Sequence, residues 1–108
     1  METSDFTDTL KRIKSQAKKG NIRLTQHAQQ EMVEENIMID EVFEAISSSK
    51  VLENYPEHRR GSCCLLNGKS RNGNPIHIVC TTSLSVLIII TAYRPKLPKW
   101  VTPIQRRQ

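Results

Sequence analysis

The sequence predicts an α+β fold in which N-terminal helices pack on a mostly antiparallel sheet of three or four strands, in two layers. Two observations lead to this prediction. Apolar residues recur at helical spacing as far as residue 47, and from residue 50 the spacing changes to the alternation of strands. No helical segment separates the later strands, and strands joined without a crossover pair antiparallel. The helices therefore form one layer and the sheet the other.

The length and the apolar pattern bound the kind of protein. A chain of 108 residues supports one modest core. We expect a single domain with an N-terminal helix (1–20), a central segment (21–101) and a basic tail (102–108). The N-terminus is polar and acidic, and the longest apolar run, Val86–Ile90, is far too short to span a membrane. The odd number of cysteines and the lack of a CxxC motif favour reduced thiols, a cytoplasmic location, and no metal or other cofactor.

Three helices are expected in the first half. The first spans residues 4–19. Thr25 caps the second, which runs to Glu35 with Glu31, Glu34 and Glu35 turned outward, and Asn36 is expected to end it in the left-handed conformation. The third spans residues 40–47. Each has an apolar stripe at i, i+3, i+4 or i+7 spacing, made of Phe6, Leu10, Ile13 and Ala17, of Ala28 and Met32, and of Ile39, Val42, Phe43 and Ile46.

Alternating apolar residues predict the strands. Asn21–Leu24 is a short extended segment, and four longer strands follow in the second half. The second of these is stopped by Asn67-Gly68, and the last is apolar on both faces, so it lies inside the sheet. Trp100 is expected to anchor the basic tail to the body. The four strands are Lys50–Tyr55, Ser62–Leu66, Ile76–Thr81 and Leu84–Tyr93.

Charge is distributed unevenly along the chain. The net charge is +5, and eight of the eleven acids fall between residues 31 and 57. From His58 onward there is no acid, whereas nine basic residues occur. This asymmetry favours a surface that faces a polyanion such as RNA. The alternative is a merely basic exterior on strands that disfavour acids. The nine bases are Arg59, Arg60, Lys69, Arg71, Arg94, Lys96, Lys99, Arg106 and Arg107.

The order of several short motifs resembles the domain-of-unknown-function family 4258 over about residues 21 to 101. The motifs are Arg23-Leu24-Thr25-Gln26-His27-Ala28 with Met32 and Glu34, Val51-Leu52-Glu53-Asn54-Tyr55-Pro56, Ser62-Cys63-Cys64-Leu65-Leu66, Pro75-Ile76-His77-Ile78-Val79 and Thr91-Ala92-Tyr93-Arg94-Pro95.

The resemblance implies a small toxin of a bacterial toxin–antitoxin pair, similar in outline to the RelE and MqsR messenger-RNA interferases. It implies a RelE-like fold that cleaves RNA without a metal, at times on the ribosome, and an antitoxin as protein partner. The chain departs from the family pattern at Glu31, Glu35 and Asn36, where members usually carry a basic residue and Arg-Gly. For this face of the helix, a basic protein partner is therefore expected rather than RNA.

Cleavage of this kind requires a base for the 2′-hydroxyl, charge stabilisation and an acid for the 5′-oxygen. No carboxylate is available after His58, so the chemistry there falls to His, Lys or Tyr. His77 is a candidate acid or base if its face of the sheet is open; the alternative is a buried histidine bonded to a backbone carbonyl. His27, in the first turn of the second helix, is the other candidate, and it can instead pair with Glu31.

The remaining candidates orient groups or bind phosphate. Tyr93, at the end of a strand, can orient a proton or stack on a base, or it can simply cap the core. Arg71, Arg94 and Lys99 are candidate phosphate ligands, the alternative being ordinary surface bases. The alternative function is a non-catalytic module of the same fold that binds RNA or protein.

Overall fold

The computed structural model describes residues 4–59 and 61–107. Within these residues the chain forms three helices, a five-stranded sheet whose first strand lies between the first two helices, and a two-stranded hairpin after the sheet, which confirms the predicted α+β class. The elements are α1 (Ser4–Lys18), β1 (Ile22–Leu24), α2 (Gln26–Glu35), α3 (Ile39–Ser48), β2 (Lys50–Tyr55), β3 (Cys63–Lys69), β4 (Pro75–Thr81), β5 (Leu87–Tyr93), β6 (Trp100–Thr102) and β7 (Gln105–Arg106).

The sheet has the order β1-β5-β4-β3-β2 and is mostly antiparallel, as predicted. Its fifth strand is the short segment β1, which pairs parallel with β5 through Ile22 and Leu87. Parallel pairing is available here because the chain passes through α2, α3 and three strands before β5 returns beside β1. The strand β5 therefore lies inside the sheet, as its two apolar faces predict.

Local signals set the ends of α2 as expected. The Thr25 hydroxyl accepts a hydrogen bond from the Ala28 N–H at 3.0 Å. Asn36 ends the helix in the left-handed region, with φ 57°, and its N–H donates to carbonyls of the last turn. Ala28 and Met32 on the inner face are buried against the sheet.

No helix in the described part of the chain is long and apolar enough to cross a membrane.

The predicted stop at Asn67-Gly68 is wrong, because β3 continues to Lys69. Gly68 faces α3, and a Cβ built on it would lie 1.9 Å from the Ala45 carbonyl oxygen. The glycine is thus a close-contact position within a strand rather than a turn residue. The three cysteines are buried and form no disulfide with one another, as predicted, and Cys64 lies opposite Cys80 on the adjacent strand β4.

The start of the last long strand was also predicted too early. The structure begins β5 at Leu87, three residues after Leu84. Side chains of α1 hold the intervening loop, since Arg12 Nη2 donates to the Leu84 carbonyl at 2.7 Å and Gln16 Nε2 donates to the Ser85 carbonyl at 2.9 Å. These carbonyls are therefore not free for strand pairing.

The helices cover one face of the sheet, and the hairpin β6–β7 lies over the other. These two strands, of three and two residues, were not predicted from the sequence. Trp100 is 2% exposed and anchors it, as predicted. The Arg106 guanidinium lies 4.6 Å from the Trp100 ring and forms two hydrogen bonds with the Glu53 carboxylate, at 2.7 and 2.8 Å. We call this ion pair of β2 and β7 the hairpin latch.

The hairpin latch makes the stability depend on pH. The hydrogen bonds from Arg106, assisted by one from Tyr55, lower the pKa of Glu53 from 4.5 to about 2 against the opposing effect of burial. An unfolded chain binds this proton more readily than the folded one, so the stabilisation is complete above pH 4.5 and is lost as the pH falls through 2. Because Arg106 is 41% exposed, solvent screening reduces the stabilisation that the ion pair contributes.

We expect Glu53→Gln to lower the free energy of unfolding by about 1 kcal/mol at neutral pH. Urea unfolding of wild type and variant should show this difference shrinking between pH 4.5 and pH 2, where the wild-type carboxylate also becomes neutral. Glu57→Gln, on the exposed loop after β2, is the matched control and should change little. A Glu53→Gln difference that is constant with pH would exclude the ion pair as its cause.

Candidate active site

Four of the six predicted site residues line one cleft. The cleft has a volume of about 450 Å³ and lies between α2, the end of β5 and the segment that leads into β6. We call it the α2 cleft. The predicted residues that it brings together are His27, Tyr93, Arg94 and Lys99, and others on its wall include Glu31, Glu35, Thr91 and Trp100.

Two acids of α2 face β5 rather than solvent, which corrects the prediction that they are turned outward. Strand β1 pairs with β5 only as far as Ile89, so later N–H groups on this edge of β5 lack a strand partner. Glu31 Oε1 accepts the Ala92 N–H at 3.0 Å, and Glu35 Oε1 accepts the Arg94 N–H at 3.2 Å. The acids at i and i+4 of α2 therefore satisfy the open edge of the sheet.

The alternative contact foreseen for His27 is present. His27 Nε2 lies 3.4 Å from Glu31 Oε1, one helical turn away, while the imidazole remains 64% exposed to the α2 cleft. Burial raises the pKa of Glu31, and the hydrogen bond from Ala92 together with His27 partly opposes this effect. The imidazole of His27 is therefore accessible, and its orientation is set by Glu31. The carboxyl group of Glu31 is in turn fixed by the hydrogen bond from the Ala92 N–H.

Glu31 is the functional candidate that the sequence analysis missed. The acid-free second half suggested that no carboxylate takes part in the chemistry of the sheet, yet α2 places one at the edge of β5. The i, i+4 spacing of His27 and Glu31 was a usable signal. The sequence did not show that this helix face lies against β5.

Tyr93 is connected to His77, its partner across β5 and β4. His77 Nδ1 lies 3.1 Å from the Tyr93 hydroxyl, and His77 Nε2 lies 2.6 Å from the Pro103 carbonyl oxygen. A carbonyl oxygen only accepts, so Nε2 carries the proton, and the neutral imidazole then accepts the Tyr93 O–H at Nδ1. The Tyr93 hydroxyl is thus held by His77, while the phenol ring lines the cleft.

The open face on which the acid–base role of His77 depended is covered by the hairpin. His77 is 0% exposed, and the Trp100 ring stands perpendicular to it at 4.5 Å. Burial lowers the pKa of His77, which favours the neutral form that the hydrogen bonds require. The foreseen alternative, a buried histidine bonded to a backbone carbonyl, is the arrangement observed. His77 thus positions the Tyr93 hydroxyl without itself lining the cleft.

The three candidate phosphate ligands differ in their surroundings. Lys99 Nζ lies 5.9 Å from the centre of the Tyr93 ring, and no ion pair is found for it within the described ranges. Arg94 donates from Nε and Nη2 to the carbonyls of Glu35 and Asn36, so it caps the end of α2. Arg71 is 86% exposed and lies outside the cleft, beside Glu44. Lys99 is the best placed of the three for a ligand.

The separation of charge along the chain is not a separation in space. Acids from residues 31–57 form ion pairs with bases from the second half. The apparent polyanion surface is therefore partly neutralised from within. The pairs join Glu44 to Arg71, Glu41 to Arg94, Glu35 to Lys96 and Glu53 to Arg106, while Arg60 lies outside the described residues.

The fold and the cleft together define a small α+β domain with an imidazole, a carboxyl, a phenol and an ammonium group around one opening. In the part of the chain that the structure describes, no three His, Cys, Asp or Glu side chains are placed to hold a metal ion. The chain belongs to the family described as Domain of unknown function (DUF4258), whose model matches residues 24–94. Comparisons with curated proteins and with solved structures give no match.

The residues that match the family model include only part of the α2 cleft. It contains α2 to β5 and thus His27, Glu31, Tyr93 and Arg94. Lys99 and the hairpin that positions Trp100 lie beyond it. The cleft is therefore built partly from the family domain and partly from the tail that follows.

Proposed function

We propose that the α2 cleft is the active centre of a metal-independent endoribonuclease, of the kind found in the toxins of toxin–antitoxin pairs. The observation that carries this proposal is the convergence of His27, Glu31, Tyr93 and Lys99 on one cleft. The convergence joins a base, its orienting group, an aromatic ring and a cation. RNA transesterification requires a base, charge stabilisation and an acid, and the ammonium group of Lys99 can serve as both of the last two.

The proposed reaction assigns one role to each group. His27 removes the proton of the ribose 2′-hydroxyl, and Glu31 holds the imidazole and stabilises its protonated form. The Tyr93 ring, held in place by His77, stacks on a base beside the scissile bond. The 2′-oxygen then attacks phosphorus and the bond to the 5′-oxygen breaks, with Lys99 stabilising the phosphorane and protonating the leaving oxygen. The products are a 2′,3′-cyclic phosphate and a 5′-hydroxyl end.

The test is cleavage of messenger RNA in EDTA, both free and on translating ribosomes. Wild type should cleave, and His27→Ala should lower the rate by a factor of about 10² to 10⁴, the usual contribution of a general base. His58→Ala replaces a histidine outside the cleft and should leave the rate nearly unchanged. Because His27 is 64% exposed, its loss should not affect folding.

Three outcomes would count against the proposal. Wild type that cleaves neither free nor ribosome-bound RNA would contradict the enzymatic function. Cleavage that survives both His27→Ala and Lys99→Ala would contradict the assignment of the site. Loss of cleavage in EDTA that magnesium restores would contradict the metal-independent chemistry.

An apolar groove at the junction of α2 and α3 favours the second candidate, a non-catalytic protein-binding module. Val33 is 81% exposed and Met38 is 63% exposed, and both line the groove. The exposed acids Glu34 and Asp40 follow these residues along the chain. A basic segment with apolar side chains is the partner that this surface fits, and an antitoxin tail is one source of such a segment.

A further inference from the structure

A second cleft lies on the other side of the hairpin turn. It has a volume of about 350 Å³ and is lined by the end of α3, the start of β2, the end of β3 and Pro103 of the hairpin. We call it the lysine cleft, and its polar side chains are those of Ser48, Lys50, Asn67 and Lys69. It shares no lining residue with the α2 cleft.

The walls of the lysine cleft are held together by hydrogen bonds between a side chain of α3 and the main chain of β3. The Ser48 hydroxyl donates to the Lys69 carbonyl and accepts the Lys69 N–H, both at 3.0 Å, which ties α3 to the end of β3. Asn67 and Lys69 are two residues apart on β3 and therefore point to the same side of the sheet. Lys50 lies opposite Asn67 on β2 and shares that side.

The charge of the lysine cleft is positive and uncompensated. Lys50 and Lys69 are exposed, and within residues 4–59 and 61–107 neither forms an ion pair. The lining contains no acid. Glu44, the acid of α3 that contacts the loop after β3, accepts the Arg71 N–H at 2.7 Å and pairs with the Arg71 guanidinium. The two ammonium groups therefore remain available to an anion.

A buried acceptor in the lysine cleft also lacks a partner. Asn67 Oδ1 is buried and accepts no hydrogen bond from the described part of the chain. Leaving a buried polar atom unpaired costs roughly 1–3 kcal/mol. A rotation of the Asn67 amide that turns Oδ1 into the cleft, where a ligand donates a hydrogen bond to it, is therefore favoured. Two cations beside one acceptor match a phosphate group with a neighbouring hydroxyl. A ribonucleotide presents this combination, whereas a deoxyribonucleotide lacks the 2′-hydroxyl.

The lysine cleft and the α2 cleft lie in one line across the sheet. Lys50, Asn67, His77 and Tyr93 are successive partners on β2, β3, β4 and β5. Adjacent strands are about 4.8 Å apart, so Asn67 and Tyr93 are separated by roughly 10 Å. The hairpin turn at Pro103 lies over the middle of this row, above His77. One RNA strand that crosses the turn can reach both clefts.

We propose that the lysine cleft binds a phosphate and the adjacent ribose of the RNA strand whose scissile bond lies in the α2 cleft. Lys50 and Lys69 contact the phosphate, and Asn67 accepts the 2′-hydroxyl. This inference rests on the proposed function for the identity of the strand. It adds a subsite that distinguishes RNA from DNA away from the reacting atoms.

Binding is measured separately from cleavage, by fluorescence anisotropy of short labelled oligouridine and oligodeoxyuridine in EDTA. The His27→Ala background keeps the RNA intact. Lys50→Ala with Lys69→Ala should weaken binding of both oligomers about tenfold or more for each of the two lysine contacts, as expected when a hydrogen bond to a charged group is removed. The slope of log affinity against log salt should fall by about 0.7 for each phosphate that is no longer neutralised. Asn67→Leu should remove the preference for RNA and leave DNA binding nearly unchanged.

The matched control removes the same charge elsewhere. Lys11→Ala with Lys18→Ala on the exposed face of α1 lowers the net charge equally and should weaken binding much less. Lys50→Gln with Lys69→Gln should reproduce the alanine result if the alanine variant is unstable. Equal losses of affinity in the two lysine pairs, or an RNA preference that survives Asn67→Leu, would overturn the inference. An absence of cleavage in the wild type would contradict the proposed function alone and leave the binding result standing.

Discussion

Alanine in place of Gly68 is expected to destabilise the protein by about 3 kcal/mol or more, at the upper end of the usual cost of overpacking. The added methyl group would lie 1.9 Å from the Ala45 carbonyl oxygen and 2.7 Å from its carbon. Both atoms belong to the backbone of α3, so no side-chain rotation relieves the contact. The helix must move away from β3, which opens the core around Ala45 and Ile46.

Urea unfolding of Gly68→Ala checks this expectation. Gly20→Ala is the matched control, because Gly20 has a positive φ of 73° but nothing within 4 Å of an added Cβ. Its cost should be limited to the backbone strain of a left-handed alanine, about 1–2 kcal/mol. If the two substitutions cost the same, close packing of α3 on β3 is not what requires the glycine at position 68.

Alanine in place of Trp100 is expected to release the hairpin from the sheet. Replacing a buried tryptophan costs about 3–5 kcal/mol, and Trp100 is 2% exposed. The substitution removes the ring that packs on His77 and the surface on which the Arg106 guanidinium rests. The hairpin latch alone is too weak to compensate, because Arg106 is partly screened by solvent.

Release of the hairpin has a specific signature at His77. The pKa of His77 is lowered from 6.5 mainly by burial, so loss of the cover should raise it toward 6.5 in an NMR titration. Trypsin should also cut more quickly at Lys99 and Arg106. Val101→Ala, beside Trp100 but 52% exposed, is the control and should change neither readout. If the titration of His77 is unchanged in Trp100→Ala, the conclusion that Trp100 holds the hairpin over His77 is contradicted.

The helices were predictable because their determinants are local. The Thr25 cap, the Asn36 stop and the apolar stripe of α3 act within a few residues of the chain. The cap and the stop are present in the structure, and Val42 and Ile46 of the stripe are buried, whereas Ile39 at its start is exposed. The strands were predicted as segments, but two of their ends were not. Gly68 reads as a turn residue until α3 is placed against it, and Leu84 reads as strand until α1 holds its carbonyl.

The candidate site was predictable in part. Residue chemistry and predicted position selected His27, Tyr93, Arg94 and Lys99, and all four line the α2 cleft. Glu31 was set aside because its charge opposes RNA, and its contact with β5 is a long-range one that no local pattern encodes. His77 was selected for its strand position, but the hairpin that covers it lies more than twenty residues further along the chain.

The sequence by itself determined the α+β class, the caps of α2, the burial of the reduced cysteines and the anchoring of the tail by Trp100. These follow from periodicity, capping and hydrophobicity, which are properties of short segments. Tertiary structure alone decided that β1 joins the sheet beside β5, that the acids of α2 satisfy the open edge of β5, and that the hairpin closes over His77. Each of these is a pairing between segments distant along the chain, because an unsatisfied strand edge or an exposed sheet face is completed by whichever segment the fold brings to it.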